Sequence, residues 1–142
     1  VFASTQSGAF SAFDLRTGQQ VWTQPAGSIG FPMLVGDFVY TVTTEGEVVC
    51  MSKADGTVIW MTQLRVFQKE KKRKKRISWA GPVMAGDRLL MMSSRGEAVE
   101  VNPYTGAVIR TFKVNGDIYV APIVANNTVY YISDDAKLVA LR

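Results

Sequence analysis

The sequence predicts an all-β fold, a β-propeller built from four-stranded antiparallel blades, on three observations. One unit recurs several times along the 142-residue chain, successive units are about 40 residues apart, and each unit consists of short apolar runs separated by turn residues. Because 47% of the residues are hydrophobic and 11% are aromatic, the chain has enough apolar surface for a sizeable core. The predicted strands amount to about three and a half blades of a ring of about eight.

The repeat is visible as constant spacing between marker residues. Three phrases align on glycine without a gap, and the two glycines of each phrase are 10 positions apart: Gly8 and Gly18, Gly46 and Gly56, Gly96 and Gly106. In the second, third and fourth units a proline also precedes the first marker position by 14 residues: Pro32 precedes Gly46, Pro82 precedes Gly96, and Pro122 precedes Ala136. Three markers at constant spacing indicate repeated supersecondary units.

Turn signals divide the chain into successive blades. The first range, 1–24, holds three predicted strands; 31–63 and 80–113 hold four each; and 119–142 holds three, without an outer strand. Asp-Gly and Thr-Gly pairs between strands suit tight turns, because glycine enters the positive-φ region without a Cβ clash. The runs FVYTV, LLMMS and VYYIS are apolar on both faces, which predicts sheets covered on both sides.

Fewer than four blades cannot form a closed ring. Since rings of this kind are commonly sealed by pairing strands from the two chain ends, we expect this chain to be the C-terminal portion of a larger propeller. We also expect the chain on its own to expose two apolar blade faces and two open strand edges, and therefore to associate.

The phrase AFDLRTGQQVW, residues 12–22, is the fullest version of the repeat. Its markers are Ala12, Asp14, Gly18 and Trp22. The second unit keeps Gly56 and Trp60 but has Cys50 and Ser52 at the other two positions, and the third keeps Gly106 with Val101, Pro103 and Arg110 nearby. A tryptophan that recurs on an apolar outer strand buries about 150 to 250 Å², which favours packing between blades over ligand contact.

This pattern resembles the tryptophan-docking repeat of quinoprotein-type propellers. The resemblance implies that the tryptophan packs across to the adjacent blade, while the aspartate and glycine shape the turn between the outer two strands. One class with this repeat is the quinoprotein dehydrogenases, which would need a quinone, calcium ligands, a catalytic aspartate and, in many members, adjacent cysteines.

Residue composition disfavours that catalytic class. The chain has no histidine and a single cysteine, Cys50, so histidine-based triads, disulfides and zinc clusters are excluded from these residues. The pair Asp134 and Asp135 is the feature most like a calcium site, and a turn at a strand end explains it more simply. We therefore predict no catalytic residue, no cofactor and no metal, with a fragment of a quinoprotein dehydrogenase as the alternative.

The whole chain also resembles the C-terminal blades of the BamB-type family of outer-membrane assembly factors. The resemblance is carried by VFASTQSGAFSAFDLRTGQQVW, by ISWAGPVMAGDRLLMMSSRGEAVEVNPYTGAVIR with the following VAPIVANNTVYYISDDAKLVALR, and by the end of the chain directly after a third strand. It implies a non-catalytic periplasmic lipoprotein scaffold, held at the outer membrane by a lipid on an N-terminal cysteine absent here. The implied partners are the barrel-inserting subunit of the assembly complex and nascent outer-membrane proteins.

A basic run interrupts the repeat between the second and third blades, in a predicted insertion loop at 64–79. Residues 69–76, KEKKRKKR, carry a charge of +6, which leaves 9 basic against 11 acidic residues elsewhere, or −2. The candidate contacts for an anionic surface are Lys71, Lys72, Arg73, Lys74, Lys75 and Arg76. The alternatives are a solvated flexible loop, contact with acidic lipid or lipopolysaccharide headgroups, or binding to an acidic protein or nucleic acid. Nucleic acid is not the expected partner, because the run contains no aromatic or glycine-rich element.

Overall fold

The computed structural model describes residues 1–142 and confirms the predicted propeller architecture. The strands form four consecutive blade sheets and one small hairpin, and within each sheet every strand pairs antiparallel with its sequence neighbour. The first blade contains β1 (Phe2–Ser4), β2 (Phe10–Phe13) and β3 (Gln20–Gln24). The second contains β4 (Met33–Val35), β5 (Phe38–Val42), β6 (Glu47–Ser52) and β7 (Val58–Gln63).

The basic segment forms the hairpin, and two blades follow it. The hairpin consists of β8 (Phe67–Lys69), a 3₁₀ turn (Glu70–Lys72) and β9 (Lys74–Arg76). The third blade contains β10 (Trp79–Ala85), β11 (Arg88–Ser93), β12 (Glu97–Val101) and β13 (Val108–Lys113). The fourth contains β14 (Ile123–Ala125), β15 (Thr128–Ile132) and β16 (Leu138–Leu141).

The core lies between blades rather than inside any one of them. In β5, Val39 packs with Phe10 and the first blade, whereas the next residue, Tyr40, packs with Leu89 and the third blade. Because successive side chains of a strand point to opposite faces, apolar runs such as FVYTV and LLMMS supply two cores at once. A third apolar cluster, around Met92 and Tyr131, joins the third and fourth blades.

Connections alternate between the two ends of the blades, so the molecule has two distinct faces. We call the connection face the one formed by the segments between blades together with the β1–β2, β5–β6, β11–β12 and β15–β16 turns. On this face, each inter-blade segment accepts a backbone hydrogen bond of 2.9 Å from the following blade: Gly27 O from Thr44 N, Ser78 O from Ser94 N, and Asp117 O from Asp134 N. The remaining turns lie at the opposite ends of the blades, and we call the surface that they form the turn face.

Residues 64–79 differ from the predicted insertion loop. They contain a paired hairpin, with Phe67 opposite Arg76 and Lys69 opposite Lys74, and β10 already begins at Trp79, inside the predicted insertion. The lysine-rich run has no alternation of apolar and polar residues, so the sequence contains no periodic signal for these short strands. None of the helical segments has the length and apolar character needed to cross a membrane.

Candidate functional site: blade contacts and a basic hairpin

The repeated tryptophan contacts the repeated glycine of the next blade. The Trp22 indole Nε1 donates a hydrogen bond of 3.1 Å to the Lys53 carbonyl oxygen, which places the ring on the turn that contains Gly56. A Cβ atom on Gly56 would lie 2.6 Å from Cε3 of the Trp22 ring. The ring therefore occupies the space that any side chain at Gly56 would need.

The same contact recurs one blade further along. The Trp60 Nε1 donates to the Pro103 carbonyl oxygen at 2.9 Å, and a Cβ on Gly106 would lie 2.6 Å from the Trp60 Cε3. Both glycines also have positive φ angles, +76° at Gly56 and +74° at Gly106. Glycine is therefore needed at each position for two reasons: the turn has a positive φ angle, and the tryptophan of the preceding blade leaves no room for a side chain.

In each unit, polar side chains stabilise the turn between the outer two strands of the blade. The Asp14 Oδ1 accepts hydrogen bonds from the backbone N–H groups of Thr17 and Arg16 at 2.8 and 2.9 Å, and the Thr17 hydroxyl donates to it as well. These bonds lower the pKa of Asp14, with the Thr17 backbone bond contributing most. In the second unit, Asp55 accepts a bond from the N–H of Thr57 at 3.0 Å.

Sequence reasoning missed the turn residue of the third unit, which is Asn102. Its Oδ1 accepts bonds from the backbone N–H groups of Tyr104 and Thr105 at 2.9 and 3.0 Å, as Asp14 does in the first unit. A strict alignment on Gly106 would have found it, because Asn102 lies four residues before that glycine as Asp14 does before Gly18. The neighbours named from the sequence, Val101 and Pro103, make no such side-chain bond.

The third unit replaces both members of a cross-strand pair. Ala12 pairs with Trp22 and Cys50 pairs with Trp60, whereas the corresponding pair in the third blade is Glu100 with Arg110. Each pair lies directly before a shift in strand register. A small residue beside tryptophan has thus been exchanged for a carboxylate beside a guanidinium.

Glu100 is buried and is neutralised by two arginines. The Arg110 Nε and one of its terminal nitrogens each donate to a different Glu100 oxygen at 2.7 Å, and the Arg88 guanidinium donates to the same carboxylate at 3.0 Å. The hydrogen bonds from Arg110 lower the pKa of Glu100, and the same pairing raises the pKa of Arg110. The Arg110 guanidinium also lies 4.7 Å from the centre of the Phe112 ring. The sequence signal was Glu100, an acid between two valines in the strand EAVEV.

This ion cluster lines one wall of a cavity between the third and fourth blades. The cavity has a volume of about 490 Å³, and Val129 and Leu141 line its other wall. The tryptophan that fills the corresponding position between earlier blades is absent here, because Arg110 stands in its place.

The acidic pair considered as a calcium site takes part in local bonds. Asp134 Oδ1 accepts a bond from the backbone N–H of Asp117 at 3.2 Å, while Asp135 contacts Ser133 and Lys137. No group of three or more His, Cys, Asp or Glu side chains is arranged so that it could hold a metal ion.

The base of the basic hairpin is fixed to the second and third blades. The Ile77 N–H donates to the Val66 carbonyl at 2.8 Å, and the buried Ile77 side chain lies directly before the third blade. The Arg65 guanidinium pairs with Glu97 at 2.9 Å, and the Arg76 guanidinium donates to the Thr44 carbonyl at 2.8 Å. The hairpin therefore projects from a base held on both sides.

The predicted basic residues have different environments within the hairpin. Arg76 lies against the second blade, 3.6 Å from the Glu45 carboxylate, and Arg73 lies 5.5 Å from the centre of the Phe67 ring. The four lysines of the predicted set form no ion pair or side-chain hydrogen bond, and all are exposed: Lys71, Lys72, Lys74 and Lys75.

Comparison with known proteins identifies relatives across the whole chain. A protein-family model described as "Outer membrane protein assembly factor BamB" matches residues 1–62 and 65–142. Proteins named outer membrane protein assembly factor BamB are 25% identical over 142 residues in Salmonella typhimurium and 23% identical over 137 residues in Marinobacter adhaerens. These matches cover 99% and 95% of the chain but only 34% and 33% of the relatives, so the chain spans about a third of their length.

Solved structures share the fold. The crystal structure of BamB from Moraxella catarrhalis matches with a TM-score of 0.81 and 21% identity, covering 98% of this chain and 40% of that one. A quinohemoprotein alcohol dehydrogenase from Comamonas testosteroni matches with a TM-score of 0.70 and 14% identity, covering 92% of this chain and 27% of the enzyme. At these identities, the structural likeness shows the fold alone.

Proposed function

The chain belongs to the family of outer membrane protein assembly factor BamB, and from this premise we propose that it forms part of a non-catalytic scaffold of the outer-membrane β-barrel assembly machinery. The observation that carries the proposal is the family match, which extends over residues 1–62 and 65–142. The likeness to the quinohemoprotein dehydrogenase supplies no comparable argument for catalysis, because it is a likeness of fold at 14% identity.

The blade contacts support a scaffold. The repeated tryptophans and glycines are occupied in packing one blade against the next, with Trp22 against Gly56 and Trp60 against Gly106. Such contacts hold successive blades in a fixed arrangement, so that loops at the two faces are presented as a rigid surface. A rigid surface with many loops suits a protein that acts by protein–protein interaction.

We propose the barrel-inserting subunit of the assembly complex and nascent outer-membrane proteins as partners. The proposed location is the periplasmic face of the outer membrane, with lipid attachment through a cysteine outside residues 1–142. Both proposals derive from the family resemblance, and no residue of this chain is assigned to partner docking.

Complementation tests the proposed function. The intact protein is expressed in a bacterium that lacks its own BamB, and the amount of folded outer-membrane β-barrel protein is measured by its heat-dependent gel mobility. We expect the amount of folded barrels to rise above the empty-vector control, and the barrel-inserting subunit to copurify with the intact protein. Unchanged barrel levels together with no copurification would refute the scaffold.

A separate assay tests the non-catalytic character. The purified protein is supplied with a quinone cofactor and calcium, and dye-linked oxidation of alcohols is followed. We expect no turnover above the rate of a heat-denatured sample. Sustained, protein-dependent oxidation would replace the scaffold with the dehydrogenase alternative.

A further inference from the structure

The basic hairpin concentrates positive charge on the connection face. Seven basic residues and one acid occupy residues 69–76, whereas the rest of the chain carries a net charge of −2. Five lysines of this run are exposed and form no ion pair with any acidic side chain of the chain: Lys69, Lys71, Lys72, Lys74 and Lys75. Their charge is therefore available to an external partner.

From this arrangement we propose that the basic hairpin, residues 67–76, is a docking site for the surface of an anionic phospholipid membrane. The proposal is independent of the proposed scaffold function, because it depends only on the contacts and charges of this hairpin. Clusters of lysine and arginine beside a membrane are attracted by its negative surface potential, and the attraction grows with each added charge.

The structure presents these charges on a fixed support. Arg65 contacts Glu97 of the third blade, Arg76 contacts Thr44 of the second, and the Trp79 Nε1 donates to the Arg65 carbonyl at 2.8 Å. Because the base is held by two blades, the exposed lysines project together from one side of the propeller. A loop without such contacts would present the same charges in many directions.

The chemistry of the exposed residues favours a lipid surface over nucleic acid. Single-stranded nucleic acid is usually bound without sequence preference by aromatic side chains on which bases stack. The nearest candidate ring, Phe67, is half-buried and has the guanidiniums of Arg73 and Arg76 at 5.5 and 6.0 Å from its centre. Lysine ammonium groups on flexible stems act as point charges, which suits a fluid array of headgroup phosphates.

The connection face also carries exposed apolar side chains. They lie on the two other inter-blade segments, namely Ile29, Phe31, Tyr119 and Val120, with exposed fractions of 78%, 93%, 61% and 67%. Basic residues together with aromatic and aliphatic ones on one face are typical of proteins that bind at a membrane interface. An acidic protein segment would need the charges but would not need these apolar groups.

Vesicle sedimentation tests the proposal with the intact protein in a form that carries no lipid. Binding to vesicles of phosphatidylcholine mixed with phosphatidylglycerol is compared with binding to phosphatidylcholine alone. We expect binding only to the anionic vesicles at about 0.01 M salt and its loss at about 1 M, because the screening length falls from about 30 Å to about 3 Å.

Two variants with the same change in net charge locate the site. The hairpin variant carries Lys71→Gln, Lys72→Gln and Lys74→Gln, and the control variant carries Arg16→Gln, Lys53→Gln and Arg142→Gln on the opposite turn face. We expect the hairpin variant to bind anionic vesicles at least about tenfold more weakly than the unmodified protein at low salt, and the control less than about twofold more weakly. Circular dichroism establishes that both variants remain folded.

Three results would overturn the proposal. The first is equal binding to neutral and anionic vesicles, and the second is an equal loss of vesicle binding in the hairpin and control variants. The third is binding of a single-stranded oligonucleotide or a polyglutamate peptide that depends on the hairpin, together with no binding of vesicles. That result would assign the hairpin to the class of partner that binds. The complementation assay above measures barrel assembly, so failure of either proposal is recognisable separately.

Discussion

Replacing Gly56 with alanine tests whether contact between blades, and not only the turn, requires glycine at this position. The new Cβ would lie 2.6 Å from Trp22 Cε3 and 2.7 Å from Cδ2, and the nearest heavy atoms all belong to that ring. Carbon atoms pack best at about 3.5 to 4.0 Å, so the ring must shift by about 1 Å or the turn must open. Either movement weakens the Trp22 hydrogen bond to the Lys53 carbonyl.

The expected loss of stability has two parts. A non-glycine residue at a φ angle of +76° costs about 1 to 2 kcal/mol. Overpacking against the indole adds about 1 to 3 kcal/mol, including the weakened hydrogen bond. We therefore expect Gly56→Ala to lower the free energy of unfolding by about 2 to 5 kcal/mol.

Gly36 provides a matched control in the same blade. It has a positive φ angle of +56°, and a Cβ placed on it would have no heavy atom within 4 Å. Gly36→Ala should therefore cost only the conformational part, about 1 to 2 kcal/mol. Urea unfolding of both variants, followed by circular dichroism so that the tryptophan signal is not needed, measures the difference.

A double-mutant cycle attributes that difference to the indole ring. In a Trp22→Leu background, the ring that excludes a Cβ is gone, so Gly56→Ala should cost about as much as Gly36→Ala. The coupling between the two sites should be about 1 to 3 kcal/mol. Equal losses for Gly56→Ala and Gly36→Ala in the unmodified protein, or additive effects in the cycle, would refute the packing argument.

Three further predictions concern buried or hydrogen-bonded groups. Burial raises the pKa of the Cys50 thiol to about 11, so a thiol reagent at about pH 8 should label Cys50 only after unfolding, and rapid labelling of the folded protein would contradict its burial. The hydrogen bonds from Arg110 hold the pKa of Glu100 below its usual value, so the carboxylate contributes stability that is fully present above about pH 4.5 and is lost as the pH falls through the folded-state pKa. The stability difference between the unmodified protein and Glu100→Gln, measured by urea unfolding, should therefore shrink from about pH 6 to about pH 3, and a constant difference would count against the ion cluster. Asn102→Ala should cost about 1 kcal/mol, whereas Asn102→Asp should stay within about 0.5 kcal/mol, since Asp14 accepts the same bonds in the first unit; equal thermal shifts for both variants would disprove that role.

The repeat, the strand pattern and the burial of the second and third blades on both sides could be predicted from the sequence, whereas in the run VYYIS of the fourth blade Ile132 is 56% exposed. These features could be predicted because they are local: turn glycines recur at constant spacing, and runs such as FVYTV carry apolar residues on both faces of the strand. The family resemblance rested on the same local phrases, and the family match over residues 1–62 and 65–142 confirms it.

Which groups meet across the blades depends on the tertiary structure. Trp22 reaches the turn of Gly56, and Glu100 is neutralised by Arg88 and Arg110, because the strands that carry these residues are brought together only when blades form and stack. The basic hairpin likewise depends on contacts with two blades at its base, and the charge pattern alone did not distinguish it from a flexible loop. The local pattern of apolar residues indicates which face of a strand is buried. Which residues of the neighbouring blade contact that face depends on the packing of segments that are distant in sequence.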